Sequence, residues 1–123
     1  MPYLKINYDP KKPRLEEIEL SEDAHESLDM CYREIGCESI EVAPTFVQDI
    51  VLIIDEQGKC FDGWEQRVNP FATLLYGNPY DCIVGDAILA RRVDSELFSL
   101  NAIDICLFKS YFKRGDPQYD PRT

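Results

Sequence analysis

Val51-Leu52-Ile53-Ile54 is a run of four apolar residues with no polar alternation, bounded on its far side by Asp55-Glu56-Gln57-Gly58. A strand that shows one face to water alternates; one that does not is covered on both faces. This run therefore predicts a central strand and a sheet with packing on either side. Upstream, Ile40 and Val42 alternate with Ser39, Glu41 and Ala43, which predicts a strand ending near Pro44. Downstream, Asp55 to Gly58 supplies turn chemistry, Gly58 is suited to a positive φ, and Lys59-Cys60-Phe61 is expected to return as the partner strand. Asp62 to Val68 carries the single tryptophan, Trp64, and reads only as a connection.

Asn69-Pro70 is a helix start, because asparagine caps free N–H groups and proline suits the first turn. Phe71, Leu74 and Leu75 are expected to bury one side of this short helix, and Gly77 to end it. Tyr80 to Arg92 then reads as one long strand or a bent pair, with Gly85 a bulge or a point of close backbone approach.

Toward the N-terminus, Leu4, Ile6 and Tyr8 alternate with Tyr3, Lys5 and Asn7, the pattern of a half-buried strand. Asp9 to Pro13 is a turn, and Arg14 to Leu20 pairs back as a hairpin. Ser21 is the expected cap of a helix whose apolar stripe is Ala24, Leu28, Cys31 and Ile35, closed by Gly36. His25 falls off that stripe and reads as a solvated helix residue. Toward the C-terminus, Val93 to Glu96 is a turn and Leu97-Phe98 a short helical turn. Asn101 with Asp104 forms a capping box for a last helix. In that helix Ile103, Cys106, Leu107 and Tyr111 form one apolar stripe, widened by Ile105, Phe108 and Phe112, so that it is expected to be deeply packed or to meet a partner, and Gly115 is the stop. The fold class that results is α+β: a mostly antiparallel, curved sheet with two main helices and one short helix, one domain over residues 1–115 and a flexible tail over 116–123.

Composition narrows the function. The hydrophobic fraction of 45% is that of a globular chain. A net charge of −10 disfavours direct contact with nucleic acid or anionic lipid, both of which need cations. It leaves solubility as the plain reading, a basic protein partner as a second, and imitation of DNA as the sharpest. Met1 to Lys5 lacks the apolar core of a signal peptide, and no run approaches the ~20 apolar residues of a membrane span, so a cytoplasmic protein is expected. Five cysteines without a Cys-x-x-Cys pair, and one histidine, predict reduced thiols, no zinc site and no metal.

Phosphate-cradling loops, dinucleotide fingerprints and nucleophile elbows are missing from the sequence, so no catalytic residue and no cofactor is assigned. Asp81 and Asp86 are the best carboxylate pair, but their offset on a regular strand puts them on opposite faces unless Gly85 bulges. Arg67 and Asn69 at the short helix bring a cation, an amide and free N–H groups together, suiting a small anionic ligand. The plain alternative is that Asn69 is a cap and Arg67 a surface residue. The candidate ligand-binding set is Arg67, Asn69, Asp81, Gly85 and Asp86.

Three segments, Asp55-Glu56-Gln57-Gly58-Lys59, Asn69-Pro70-Phe71-Ala72-Thr73-Leu74-Leu75-Tyr76 and Tyr80-Asp81-Cys82-Ile83-Val84-Gly85, resemble an uncharacterised domain-of-unknown-function family, number 3846, of bacteria, phages and mobile elements. The resemblance covers residues 40–112, and Asn69, Asp81 and Gly85 match it best. The Lys59 to Val68 connection is longer than the family pattern, so Trp64 and Arg67 are not carried over. The family implies no activity; its company implies an accessory role, in regulation or in interference with host defence. The leading expectation is a non-enzymatic binding or interaction protein. An acidic DNA-mimic inhibitor and a small enzyme acting on a nucleotide or phosphorylated ligand are the alternatives. A homodimer through the last helix is the secondary expectation.

Overall fold

The computed structural model describes residues 1–115. Its six-stranded sheet is antiparallel throughout and open, in the order β2-β1-β5-β4-β3, with β6 pairing the far end of β5. The strands are β1 (Pro2–Ile6), β2 (Leu15–Glu19), β3 (Ile40–Pro44), β4 (Ile50–Asp55), β5 (Ala87–Val93) and β6 (Glu96–Phe98). The α-helices are α1 (Ala24–Ile35), α2 (Pro70–Tyr76) and α3 (Ala102–Gly115), with a 3-10 turn at Trp64–Arg67. The α+β class is as expected; the proposed tail at 116–123 lies outside the described residues.

Register explains why the central strands do not alternate. Leu4, Leu89, Leu52 and Ala43 are consecutive cross-strand partners and form a row facing α2 and α3. One residue along, Lys5, Ile88, Ile53 and Val42 form the opposite row, facing α1. Both rows are covered, so both parities of β4 and β5 are apolar. The half-buried reading of β1 is corrected for the same reason: it lies between β2 and β5, and Tyr3 and Lys5 are buried along with Leu4 and Ile6.

Four local readings change. Asp23, not Ser21, caps α1: its Oδ1 accepts from the N–H groups of His25 and Glu26, while Ser21 Oγ accepts from the N–H of Asp23. Lys59-Cys60-Phe61 does not return as a strand, because β3 and β5 already occupy both edges of β4. Gly58 is needed for space instead of positive φ: a Cβ there would sit 3.2 Å from the Val84 Cβ and carbonyl oxygen. Residues 80–86 are not strand apart from a bridge between Val84 and Val68, and Leu97-Phe98 belongs to β6 instead of a helical turn.

Of the broad apolar girth of the last helix, only one side is turned inward. Asp104, Phe108 and Phe112 face the sheet, whereas Ile103, Cys106, Leu107 and Tyr111 face outward. A bidentate ion pair fixes this rotation. Arg91 of β5 donates from Nη2 to Asp104 Oδ1 at 2.6 Å and from Nε to Oδ2 at 3.1 Å. The capping box is formed as expected: the Asp104 N–H donates to Asn101 Oδ1 at 2.8 Å and the Asn101 N–H to Asp104 Oδ2 at 3.1 Å. Residues spaced by four from Asp104 follow it inward, and Phe112 stacks on Phe71 of α2 with ring centroids 5.0 Å apart.

Candidate functional site

Asn69 is fully buried, and all of its side-chain hydrogen-bonding groups are engaged. Its Oδ1 accepts from the Ala72 N–H at 3.2 Å, the capping bond its position before Pro70 predicts. Its Nδ2 donates to the carbonyl of Ile6 at 2.9 Å and to that of Gly85 at 3.0 Å. One side chain thus ties the start of α2 to the end of β1 and to the bend before β5. The backbone doubles the tie: the Asn69 N–H donates to Ile83 O and the Gly85 N–H to Arg67 O, each at 2.8 Å.

Gly85 holds φ 83, a left-handed conformation that costs a residue with a Cβ energy. The neighbour closest to where a Cβ would stand is a side chain, not the backbone the sequence reading expected: Arg67 Nη2, at 3.3 Å. The Arg67 guanidinium carbon sits 5.2 Å from the centroid of the Tyr8 ring, a cation–π arrangement. Asp86, buried next to Gly85, accepts from the Tyr8 N–H at 3.0 Å and faces Lys5 at 3.8 Å. Lys5 also reaches Glu34 of α1 at 3.2 Å. Arg67, Asn69, Gly85 and Asp86 are therefore gathered around the end of β1.

Asp81 has different neighbours. It is exposed, pairs with Lys59 and accepts from the Cys82 N–H at 2.8 Å. The hydrogen bond from Lys59 holds its carboxyl below the usual range, and the same contact raises the Lys59 ammonium. This pair lines a small cleft of 120 Å³ with Tyr76, Cys60 and Cys82. Asp81 and Asp86 thus have separate partners and separate surroundings.

A larger cleft of 550 Å³ opens beside Arg67, between the C-terminal end of α1 and the connection after β4. Gly36, Cys37, Glu38, Asp55 and Phe61 form its walls with Arg67. Although Glu38 and Asp55 share the cleft, Arg67 makes no ion pair within 4.0 Å among the described residues. Sequence reasoning missed Tyr8 beneath Arg67 and Lys5 beside Asp86. The signal for Lys5 was there, since a lysine on a strand flanked by apolar residues needs a carboxylate when buried.

The five thiols are free. Burial first, then Cys37 and Glu34, pushes the Cys31 thiol up to about 11, and burial also raises Cys37. Among the described residues no three His, Cys, Asp or Glu side chains are grouped to hold a metal ion, and no helix is long and apolar enough to cross a membrane.

The architecture is that of an open antiparallel sheet between two helical layers, with a buried polar knot where α2 meets β1 and β5. The chain belongs to the domain of unknown function family DUF3846, which it matches over residues 4–113. The match begins in β1, so it takes in the first hairpin and α1 as well as the central segment that carried the resemblance. No curated protein and no solved structure matches the chain.

Proposed function

We propose that this is a non-enzymatic binding protein whose ligand occupies the cleft beside Arg67. The observation that carries the reading is a guanidinium that lines a cleft, lies over the Tyr8 ring and has no carboxylate within 4.0 Å among the described residues. Among the described residues Lys5, Lys59, Arg91 and Lys109 find carboxylates, whereas Lys11, Lys12, Arg14, Arg33 and Arg92 share the lack of one with Arg67 but do not line this cleft. Arg67 is instead held face-on by Tyr8, which leaves its N–H edges for a carboxylate or phosphate. Glu38 and Asp55, which line the same cleft, favour a ligand that carries a cation or a donor beside its anion. Asn69, Gly85 and Asp86 support the site from behind by fixing Arg67 and Tyr8. Asp81 lies in the neighbouring cleft.

The small-enzyme alternative requires Arg67 in one pocket with Asp81 or Asp86, and neither carboxylate lines the Arg67 cleft. The DNA-mimic alternative requires rows of acid on one face. On β2 the acids divide: Glu17 meets Lys109 of α3 and Glu16 meets Asn7 on the other side of the sheet. A cytoplasmic accessory role in a phage or mobile element accords with the family resemblance and with the acidic charge.

The test is titration with small carboxylates, amino acids, inorganic phosphate and nucleoside monophosphates, read by calorimetry and by Trp64 fluorescence. Trp64, the single tryptophan, lies in the same 3-10 turn as Arg67. Binding by one of these classes, lost in Arg67→Met with an unchanged circular dichroism spectrum, is the expected result. Binding that survives Arg67→Met, or none across the panel, would refute the site.

A further inference from the structure

The rotation of α3 leaves an apolar face uncovered at the end of β4 remote from the Arg67 cleft. Ile103 is 70% exposed, Leu107 63% and Tyr111 43%, and Phe46, before β4, is 63% exposed. Phe46, Leu107 and Tyr111 border one groove of 370 Å³, floored by Leu75 and Phe108. Ile103 stands one helical turn before Leu107 on the same face. At roughly 200 Å² for a fully exposed large side chain, these four present on the order of 450 Å² of apolar surface. That is as much as the largest patch of a typical monomer, ~300–600 Å².

We propose that this face is the two-fold interface of a homodimer, in which α3 packs antiparallel against α3 of a second copy. Three observations select a second copy as the occupant. First, the stripe is symmetric about its centre: Ile103, Leu107 and Tyr111 are spaced by four and four. In an antiparallel pair centred on Leu107, Ile103 of each copy meets the region of Tyr111 of the other, and Leu107 meets Leu107. That reciprocity is what an isologous contact requires. The exposed Ile103 side chain is then the projection and the groove beside Tyr111 the recess.

Second, the area is right. Homodimer interfaces are about 65% apolar, so ~450 Å² is the apolar share of about 700 Å² per copy. A standard interface uses ~800 Å² per partner. Third, the patch is uncharged on a chain of net charge −10. Ile103, Cys106, Leu107, Ser110 and Tyr111 include no Asp, Glu, Lys or Arg; Asp104 at the edge of the groove is paired with Arg91, and Lys109 beside them is directed to Glu17 of its own chain. A basic partner would be drawn to the acidic surface; a second copy is repelled by it everywhere except here.

Charge gives the test its discrimination. Analytical ultracentrifugation of the full chain should show a monomer–dimer equilibrium in the micromolar range, as small interfaces give. Raising salt from ~0.1 to ~1 M shortens the screening length from about 10 to about 3 Å, so the dimer should tighten several-fold. Leu107→Glu, which sets two carboxylates against each other on the two-fold axis, should leave only monomer with an unchanged circular dichroism spectrum. Ile103→Glu, at a second exposed position, should do the same. In a Cys60→Ser background, which removes the other exposed thiol, a short bis-maleimide should join two chains through Cys106, next to the axis. A single-chain mass up to ~100 µM, well above the Kd such an interface gives, would overturn the inference. So would a dimer that persists in both glutamate variants, or one that dissociates as salt rises.

Discussion

Asn69→Asp separates the two roles a capping residue can have. At an exposed helix start, asparagine and aspartate cap about equally well, and the exchange is close to neutral. Here Asn69 is fully buried, and its Nδ2 serves the carbonyls of Ile6 and Gly85. Aspartate keeps the acceptor for the Ala72 N–H but replaces the donor with an oxygen facing two carbonyl oxygens. Two carbonyls lose their donor, at roughly 1 kcal/mol or more each, and a carboxylate is buried without a cation or takes up a proton. Asn69→Asp should therefore cost about 3–4 kcal/mol. Asn69→Ala loses the cap, ~1 kcal/mol, together with the same two bonds, and should cost about 3 kcal/mol. For a domain of this size that lowers the melting temperature by on the order of 10–15 °C. Urea unfolding followed by circular dichroism measures both. If Asn69→Asp lies within ~0.5 kcal/mol of the parent, the two carbonyls do not depend on Asn69, and the polar knot is not what orders this region.

Gly85→Ala should cost about 1–2 kcal/mol, since φ 83 disfavours any Cβ and Arg67 Nη2 must also move from 3.3 Å. Its Trp64 emission should shift with the displaced Arg67, whereas Gly115→Ala should leave that emission unchanged. The Lys59–Asp81 pair stabilises only between two pH limits. The lowered Asp81 contributes above its unfolded pKa and is lost as pH falls through the folded value; the raised Lys59 contributes below its unfolded pKa and is lost as pH rises through the folded value. Both side chains are more than a third exposed, so Asp81→Asn should cost no more than ~0.5 kcal/mol at pH 7, and progressively less as the pH is lowered, by urea titration. With its thiol raised to about 11, Cys31 should resist iodoacetamide at pH 8 while Cys60 reacts, as peptide mass mapping of the native protein will show. Comparable labelling of both would mean that α1 does not shield Cys31.

The local chemistry of the chain was readable without its structure. The unbroken apolar run before Asp55, Asn69-Pro70 with Gly77, Gly36 after α1, and Asn101 with Asp104 each specify a local conformation through groups a few residues apart, and each is formed. These features determined an α+β chain with a central strand covered on both faces. Where the edges of that strand would be filled depended on distant segments, so Lys59 to Phe61 lost the place that β3 and β5 took. The candidate residues had the same division. Asn69 was legible as a cap, but that its amide also bridges Ile6 and Gly85, 63 and 16 residues away, is a property of the folded chain.

The rotation of α3 shows the division most clearly. By hydrophobic pattern alone, Ile103, Leu107 and Tyr111 make a better buried stripe than one headed by an aspartate. What the pattern cannot contain is Arg91, 13 residues upstream on β5, whose guanidinium engages both oxygens of Asp104 and draws that side of the helix onto the sheet. Sequence fixes which side chains share a helix face, because that follows from 3.6 residues per turn. Which face is turned inward is settled by a long-range ion pair and by Phe112 stacking on Phe71, and only the tertiary structure brings those groups together.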